Sequence, residues 1–389
     1  MGQRKHRIAA RMEGIAPFHV MAILAQAQAL EAAGHDIIHL EIGEPDFVTP
    51  APIVEAGVVA LRAGHTHYTS ALGLPALREA IAGFYATRWH AAVDPTRVIV
   101  TPGASGALLL ALGLLVGPGD DVLMADPGYP CNRHFAQFCD AHAITIPVDA
   151  DSQFQLTLEL IERHATPSTR AVLIASPSNP TGTAIPLAEL TRIHDWCRAK
   201  GVSLIVDEIY LALTYNSVEH SAARWDDVFV INSFSKYFLM TGWRLGWLTA
   251  PARAMPALER LAQNLFLSAS TPAQHAALAA FAADTVAILE GRKAELRSRR
   301  DFLLPALQER GFDIPVTPQG AFYLYADCSR FAPDSHLFAN QLLSLAGIAV
   351  TPGLDFGTHQ AARYLRFAYT QPLPRLIEAM TRLDRFLQT

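Results

Sequence analysis

From about residue 97 the chain alternates short, β-rich apolar runs with longer stretches patterned as helices. RVIVT (97–101) leads into GASGALLLALGLL, DVLMA (121–125) into a helical stretch around 131–140, and AVLIAS (171–176) into LAELTRIHDWCRAKG. VSLIV (202–206), DVFVINS (227–233) and RLGWLTA (244–250) follow. Such alternation predicts βαβ units and a mostly parallel sheet with helices on both faces. Ligands of these sheets bind beyond the carboxyl ends of the strands. The polar residues fall there: Gly103 to Ser105, Asp126 to Tyr129, SPSNPTG (176–182), Asp207 with Tyr210, and Ser233 to Lys236 each follow an apolar run.

Outside this region the pattern changes. Residues 273–311 are rich in helix formers with few breakers and predict one long helix linking a large domain to a smaller one. The tail predicts short strands at GAFYLYAD, IAVTPG and YLRFAYT, a helix at HLFANQLLSLAG and a final helix from about residue 374. An opening helix over about 18–33 and a short strand at IIHLEIG are expected to pack with this tail.

Composition narrows the function classes. The 389 residues are 51% hydrophobic, enough for two domains or one large domain with a smaller one attached. Net charge is −5 and RKHR near the start is the sole basic block, so no nucleic-acid footprint is expected. The four cysteines (131, 139, 197, 328) form no CxxC pair and predict neither a disulfide framework nor a zinc site. The longest apolar run, GALLLALGLLVG, is too short to span a bilayer. RMEGIAPFHV interrupts any signal-peptide pattern, and MGQRKH lacks the hydroxyl of a myristoylation signal. The expected compartment is the cytoplasm, with no membrane partner. His65 and His67 have no carboxylate or third histidine at ligand spacing, so no metal is expected.

The scarcest residue is the most informative. The chain has only four lysines, Lys5, Lys200, Lys236 and Lys293, and Lys236 stands between the hydroxyls Ser233 and Ser235 and an apolar, aromatic run. A desolvated amine in that setting has the lowered pKa a nucleophile and base needs; a solvated lysine at a helix start is the plainer alternative. Gly103-Ala104-Ser105-Gly106 opens a helix after a strand, a place that favours an anion. Asp207 ends an apolar strand, where an unpaired carboxylate is costly. A protonated pyridine nitrogen would pair with it, as would an N-cap or a structural ion pair. Tyr210 could reach the same ligand, and Asn179 could aim its amide inward or simply build a turn.

Taken together, GEPDF (43–47), YTSALGLPALREAIA (68–82), TPGASGAL (101–108), DPGYP (126–130), SNPTG (178–182), DEIY (207–210), SFSK with MTGWRLGW (233–247), GAFYLY (320–325) and LRFAY (365–369) resemble, in order and over nearly the whole chain, the class I/II aminotransferases. These belong to the pyridoxal-phosphate fold type I, or aspartate aminotransferase, superfamily. The resemblance implies an α/β fold. A large domain (46–285) would carry a mostly parallel seven-stranded sheet flanked by helices. A smaller α+β domain (286–389) would be built with both termini, the arm 1–45 included.

It also implies roles. Lys236 would hold pyridoxal 5'-phosphate as a Schiff base and then move the proton, and Asp207 would keep the pyridine nitrogen protonated. Asn179 and Tyr210 would bind the ring's phenolic oxygen, with Tyr129 stacked on its face. The lowered pKa of Lys236 is ascribed to that Schiff base with Tyr210 and Asn179. Ala104, Ser105, Ser233, Ser235 and Arg244 would hold the phosphate, with Tyr68 from the other subunit of a homodimer. Arg366 would clamp the substrate α-carboxylate, and Gly43 would let backbone approach it.

Two departures bear on the substrate. Some aspartate-using relatives carry lysine where this chain has Ser105, and hydroxyls where it has Ala16, Pro17 and Phe18. Both differences favour neutral or aromatic amino acids, transferred to a 2-oxo acid by a ping-pong cycle. Phe18 and Tyr323 are side-chain-pocket candidates or core residues; sequence alone leaves both open. Two alternatives share the scaffold: a C–S β-lyase, and a cofactor-sensing domain of a transcription regulator. The latter is disfavoured because the family pattern begins within about the first twenty residues.

Overall fold

The six apolar runs form strands of one sheet: β1 (Val98–Thr101), β2 (Asp121–Asp126), β4 (Thr169–Ala175), β5 (Ser203–Asp207), β6 (Phe229–Ser233) and β7 (Gly246–Thr249). They are seen in a computed structural model that describes residues 8–215 and 219–388, so the RKHR block and the MGQRKH start lie outside the described residues. A seventh strand, β3 (His142–Pro147), escaped the sequence reading. It lies at the sheet edge against β2 and is mostly half-buried, so its residues alternate less plainly than the buried runs.

The order is β1-β7-β6-β5-β4-β2-β3. β7 runs antiparallel to both of its neighbours, and all other pairings are parallel. The central strands are buried along their length, which explains their near-continuous Val/Ile/Leu sequences. The parallel strands therefore end on one rim, where the polar residues were expected.

The helix expected over 273–311 is two helices. Thr271–Leu278 gives way to a tight turn at Ala279–Phe281, and Ala282 is extended (φ −68°, ψ 146°) before a helix over Ala283–Glu309. The cause is packing rather than propensity: Phe281 seats among Phe84, Phe234 and Phe238, with ring centroids 5.3 to 5.8 Å apart. No breaker residue marks this corner in the sequence.

The C-terminal region holds an antiparallel three-stranded sheet of β8 (Tyr323–Asp327), β9 (Thr351–Pro352) and β10 (Tyr364–Ala368), in the order β9-β10-β8. The N-terminal segment joins it as expected, since Ile38–His39 pairs in parallel with Ile348–Ala349. Helix α1 (His19–Ala32) precedes that pair, and a helix over Leu373–Leu387 closes the chain. The two sheets are stitched at DPGY: Gly128 N–H donates to the Phe356 carbonyl (2.8 Å), and the buried Asp126 carboxylate accepts from Thr358 N and Oγ1 and His359 N. Gly357 is obligatory there, because a Cβ would stand 1.7 Å from Asp126 Oδ1.

Candidate active site

A cavity of roughly 330 Å³ opens at the strand ends, lined by residues of both sheets and of the N-terminal segment. Lys236, Asp207, Tyr210, Tyr129, Asn179, Ala104, Ser105, Ser233, Ser235, Arg244, Arg366, Gly43, Phe18 and Tyr323 all line it. Tyr68 does not; it is 80% exposed. Phe18 and Tyr323, left open between pocket and core, belong to the cavity wall.

Its inner end is suited to an anion. The helix α2 (Gly103–Leu115) presents its first turn directly after β1. Helix N-terminal N–H groups and the helix dipole favour negative charge there. The space is fitted tightly: a Cβ on Gly246 would lie 2.8 Å from Ala104 N, and one on Gly103, whose φ is +70°, would lie 2.7 Å from the Arg244 guanidinium. Arg244 itself is left-handed (φ 53°), at the end of the turn Thr241–Trp243, and donates to the Thr241 carbonyl (3.0 Å). Ser233 Oγ accepts Ser235 N–H (3.0 Å), which ties the strand end to the lysine loop.

Deeper in, a buried carboxylate is only partly compensated. Asp207 is buried, accepts a hydrogen bond only from Ile209 N–H (3.1 Å) among the described residues, and is pushed up to about 7 by burial. A carboxylate so placed favours a cationic partner. Lys236 Nζ donates to the Gly43 carbonyl (2.8 Å) and lies 5.9 Å from the Tyr210 and Phe322 ring centroids. Its pKa is lowered to about 8, first by burial, against Glu44 and with help from Arg366 and Arg244. The desolvation expected from the apolar run around Lys236 is thus the main cause in the protein alone, with the two arginines adding to it. By contrast Lys293 is a plain ion pair with Glu219 (2.8 Å).

The outer end holds a buried arginine. Arg366 is 3% exposed and donates to Asn179 Oδ1 (2.9 Å), Thr351 Oγ1 (3.2 Å) and the Glu41 carbonyl. Among the described residues its Nε–H has no partner, and its guanidinium packs on Tyr323 (4.3 Å to the centroid) and Phe356 (4.8 Å). Because Asn179 Oδ1 is taken, its NH2 is the donor left to the cavity. Tyr210 and Tyr323 share a hydroxyl hydrogen bond (2.9 Å), and burial raises both phenols. Gly43 is required by this pair, since a Cβ would stand 2.2 Å from Tyr323 Oη. Phe18 meets Tyr129 edge-on at 6.3 Å, beside Val20, Met21 and Ile42.

Sequence reasoning missed Thr351 and Glu41, which steady Arg366. Thr351 lies directly opposite Arg366 in the β9–β10 register, a pairing only the fold reveals. Elsewhere His65 stacks on His275 (4.3 Å between centroids), and among the described residues no group of three potential metal ligands occurs. No helix among them is long and apolar enough to cross a membrane.

An anion seat, a lysine with a lowered pKa and a buried carboxylate, at the strand ends of a seven-stranded mostly parallel sheet, define a fold type I site of the aminotransferase kind. The family model for aminotransferase class I and II matches residues 35–383. The valine–pyruvate aminotransferase of Mycobacterium tuberculosis is 38% identical over 384 residues, 98% of each chain. The (5-formylfuran-3-yl)methyl phosphate transaminase of Methanocaldococcus jannaschii is 37% identical, covering 97% of this chain and 98% of its own. A crystal structure of an aminotransferase from Mycobacterium tuberculosis superposes with TM-score 0.95 at 38% identity, over 99% of this chain and all of that one. The chain belongs to the class I and II aminotransferases, and it is an enzyme of the transaminase class.

Proposed function

We propose that this aminotransferase uses pyridoxal 5'-phosphate bound at Lys236 and takes neutral amino acids with aliphatic or aromatic side chains, passing the amino group to a 2-oxo acid in a ping-pong cycle. The observation that carries the substrate class is the cavity lining. Among the described residues its only lysines and arginines are Lys236, Arg244 and Arg366, each with a task, while Phe18, Val20, Met21 and Ile42 supply apolar wall. None of the cations that line a protomer's own cavity is left over for a distal carboxylate. The name of the Mycobacterium tuberculosis relative, which pairs valine with pyruvate, agrees with this reading.

The residues present fit the cofactor. Ala104 N–H, Ser105, Ser233, Ser235 and Arg244 would hold its phosphate, Asp207 its protonated ring nitrogen, Asn179 and Tyr210 its phenolic oxygen, and Tyr129 its ring face. When bound, the group supplies a carbonyl to capture the amine and a ring that takes up electrons from Cα. Asp207, whose pKa burial raises to about 7 in the protein alone, keeps its charge when a cation faces it. Arg366 clamps the α-carboxylate through donors that Thr351 and Glu41 leave oriented, which fixes Cα near Nζ of Lys236. Burial holds that amine near neutrality, so it can take a proton from Cα and return it at the acceptor carbon.

The working unit we infer is a homodimer in the cytoplasm. Tyr68 lies exposed and outside its own cavity, as a residue given to a partner's phosphate would; Val59 and Leu61, each 55% exposed, add apolar surface nearby in the sequence. The four cysteines are unpaired, in keeping with a reducing compartment. The large and small domains divide near residues 45 and 285 in this reading.

The substrate class is tested by a half-reaction screen. The cofactor-loaded enzyme is mixed with each common amino acid and the visible band of the bound cofactor is followed. Valine, leucine, alanine or phenylalanine should bleach it well below the concentration at which aspartate or glutamate does. Preferential bleaching by the acidic pair would overturn the reading.

A further inference from the structure

Helix α1 begins without a cap of its own. The residue at its N-cap position is Phe18, which has no side-chain oxygen to accept the first free N–H groups. That phenyl ring is needed elsewhere, because Phe18, Val20 and Met21 together line the cavity. The missing acceptors come from far along the chain. Asp355 Oδ1 accepts His19 N–H at 2.7 Å and Oδ2 accepts Val20 N–H at 3.0 Å. The carboxylate is 1% exposed, and a negative charge at a helix N-terminus is favoured by the dipole as well as by the hydrogen bonds.

Asp355 is itself held firmly. It lies in the tight turn Gly353–Asp355 that follows β9, whose Thr351 pairs with Arg366. Arg133 NH2 donates to its carbonyl (3.1 Å), and Phe356 and Thr358 just beyond it are bonded to Gly128 and Asp126 of the large sheet. Asp355 therefore ties the first turn of α1 to the framework that carries Tyr129 and Arg366.

We propose that Asp355 is a positioning residue that sets side-chain specificity. By holding the first turn of α1 it fixes the wall of Phe18, Val20 and Met21 against which the substrate's side chain packs. This rests on the neutral-substrate reading above. The contact surface involved grows with the side chain, so alanine's methyl gains little from the wall while valine and phenylalanine gain much.

The test is steady-state kinetics of the cofactor-loaded Asp355→Ala and Asp355→Asn enzymes with alanine, valine and phenylalanine, together with hydrogen exchange of the amides at the start of α1. The Asn variant keeps the size of the side chain and one acceptor oxygen, so it serves if the Ala variant does not fold. In Asp355→Ala, KM for valine and phenylalanine should rise about tenfold, the worth of a lost cap in a partly buried place, with a smaller rise in the Asn variant. KM for alanine, kcat and cofactor retention should stay within about twofold, the scatter expected where no contact is lost. The His19 and Val20 amides should exchange faster. An equal rise for all three amino acids would mean that Asp355 acts through Arg366 and would overturn the proposal, as would unchanged kinetics or unchanged exchange. A wild-type enzyme that takes no neutral amino acid would overturn the function reading and this proposal together.

Discussion

The two ends of the cavity are built in different ways. The inner end is local: Ser233, Ser235, Lys236 and Arg244 lie within one stretch of twelve residues, and Gly103 to Ser105 follow one strand. The outer end is assembled from afar, with Arg366 bonded to Asn179 and to the Glu41 carbonyl at sequence separations of 187 and 325 residues. Glycine geometry sharpens the contrast. At the inner end Gly246 gives way to the Ala104 backbone nitrogen, whereas at the outer end Gly43 gives way to the Tyr323 hydroxyl. In the proposed reading the inner end meets the cofactor and can be fixed by short motifs, whereas the outer end meets the substrate and draws on loops that can change independently.

The largest effect should come from the residue at the junction of the two ends. In the proposed reading Lys236→Ala removes both anchor and proton carrier, so transamination should fall by about 10⁴-fold, measured in a coupled assay of 2-oxo acid formation. A milder loss would assign the proton to another group.

Next comes a pH signature of the buried amine. Only neutral Nζ attacks a carbonyl, and burial lowers its pKa from 10.5 to about 8. A base with a lowered pKa gives up its proton earlier, so capture of pyridoxal phosphate by the apoprotein should quicken as pH rises and level off above about 8. Stopped-flow absorbance reads this directly, and a midpoint near the ordinary lysine value would mean the amine is solvated.

Two arginine variants then separate the ends. Arg366→Ala should raise KM for the amino donor about a hundredfold, the loss of charge-assisted hydrogen bonds, with cofactor retention unchanged on dialysis. Arg244→Ala should do the reverse, weakening the cofactor with little change in KM once it is supplied in excess. Equal losses of both in either variant would erase the distinction. The smallest change is expected for Thr351→Val, which deletes the hydroxyl between Arg366 and the Glu41 carbonyl: KM should rise about fivefold, as for one neutral hydrogen bond.

The same contrast explains what the sequence made legible. The β-rich runs announced the sheet because its central strands are buried on both faces, and the residues after them marked the rim. β3 was not read because an edge strand with His142 and Pro147 at its ends carries a weak period. The corner at Ala282 was hidden because Phe281's packing dictates it. Motif residues from Gly103 to Arg366 were placed on the cavity because their ordered spacing carries family resemblance. Asp355 and Thr351 were not, since a helix cap or guanidinium partner hundreds of residues away leaves no local trace. The desolvation of the Lys236 amine was legible because the residue stands in an apolar, aromatic run, whereas the contributions of Arg366 and Arg244 follow from the fold.

Whether the cofactor is bound at Lys236 is read by borohydride reduction of the pyridoxal-phosphate-loaded enzyme followed by peptide mapping of the label. With only four lysines in the chain, the answer is unambiguous. The account predicts stoichiometric label on the peptide bearing Lys236; label on Lys200 or Lys293, or stoichiometric label surviving in Lys236→Ala, would contradict it.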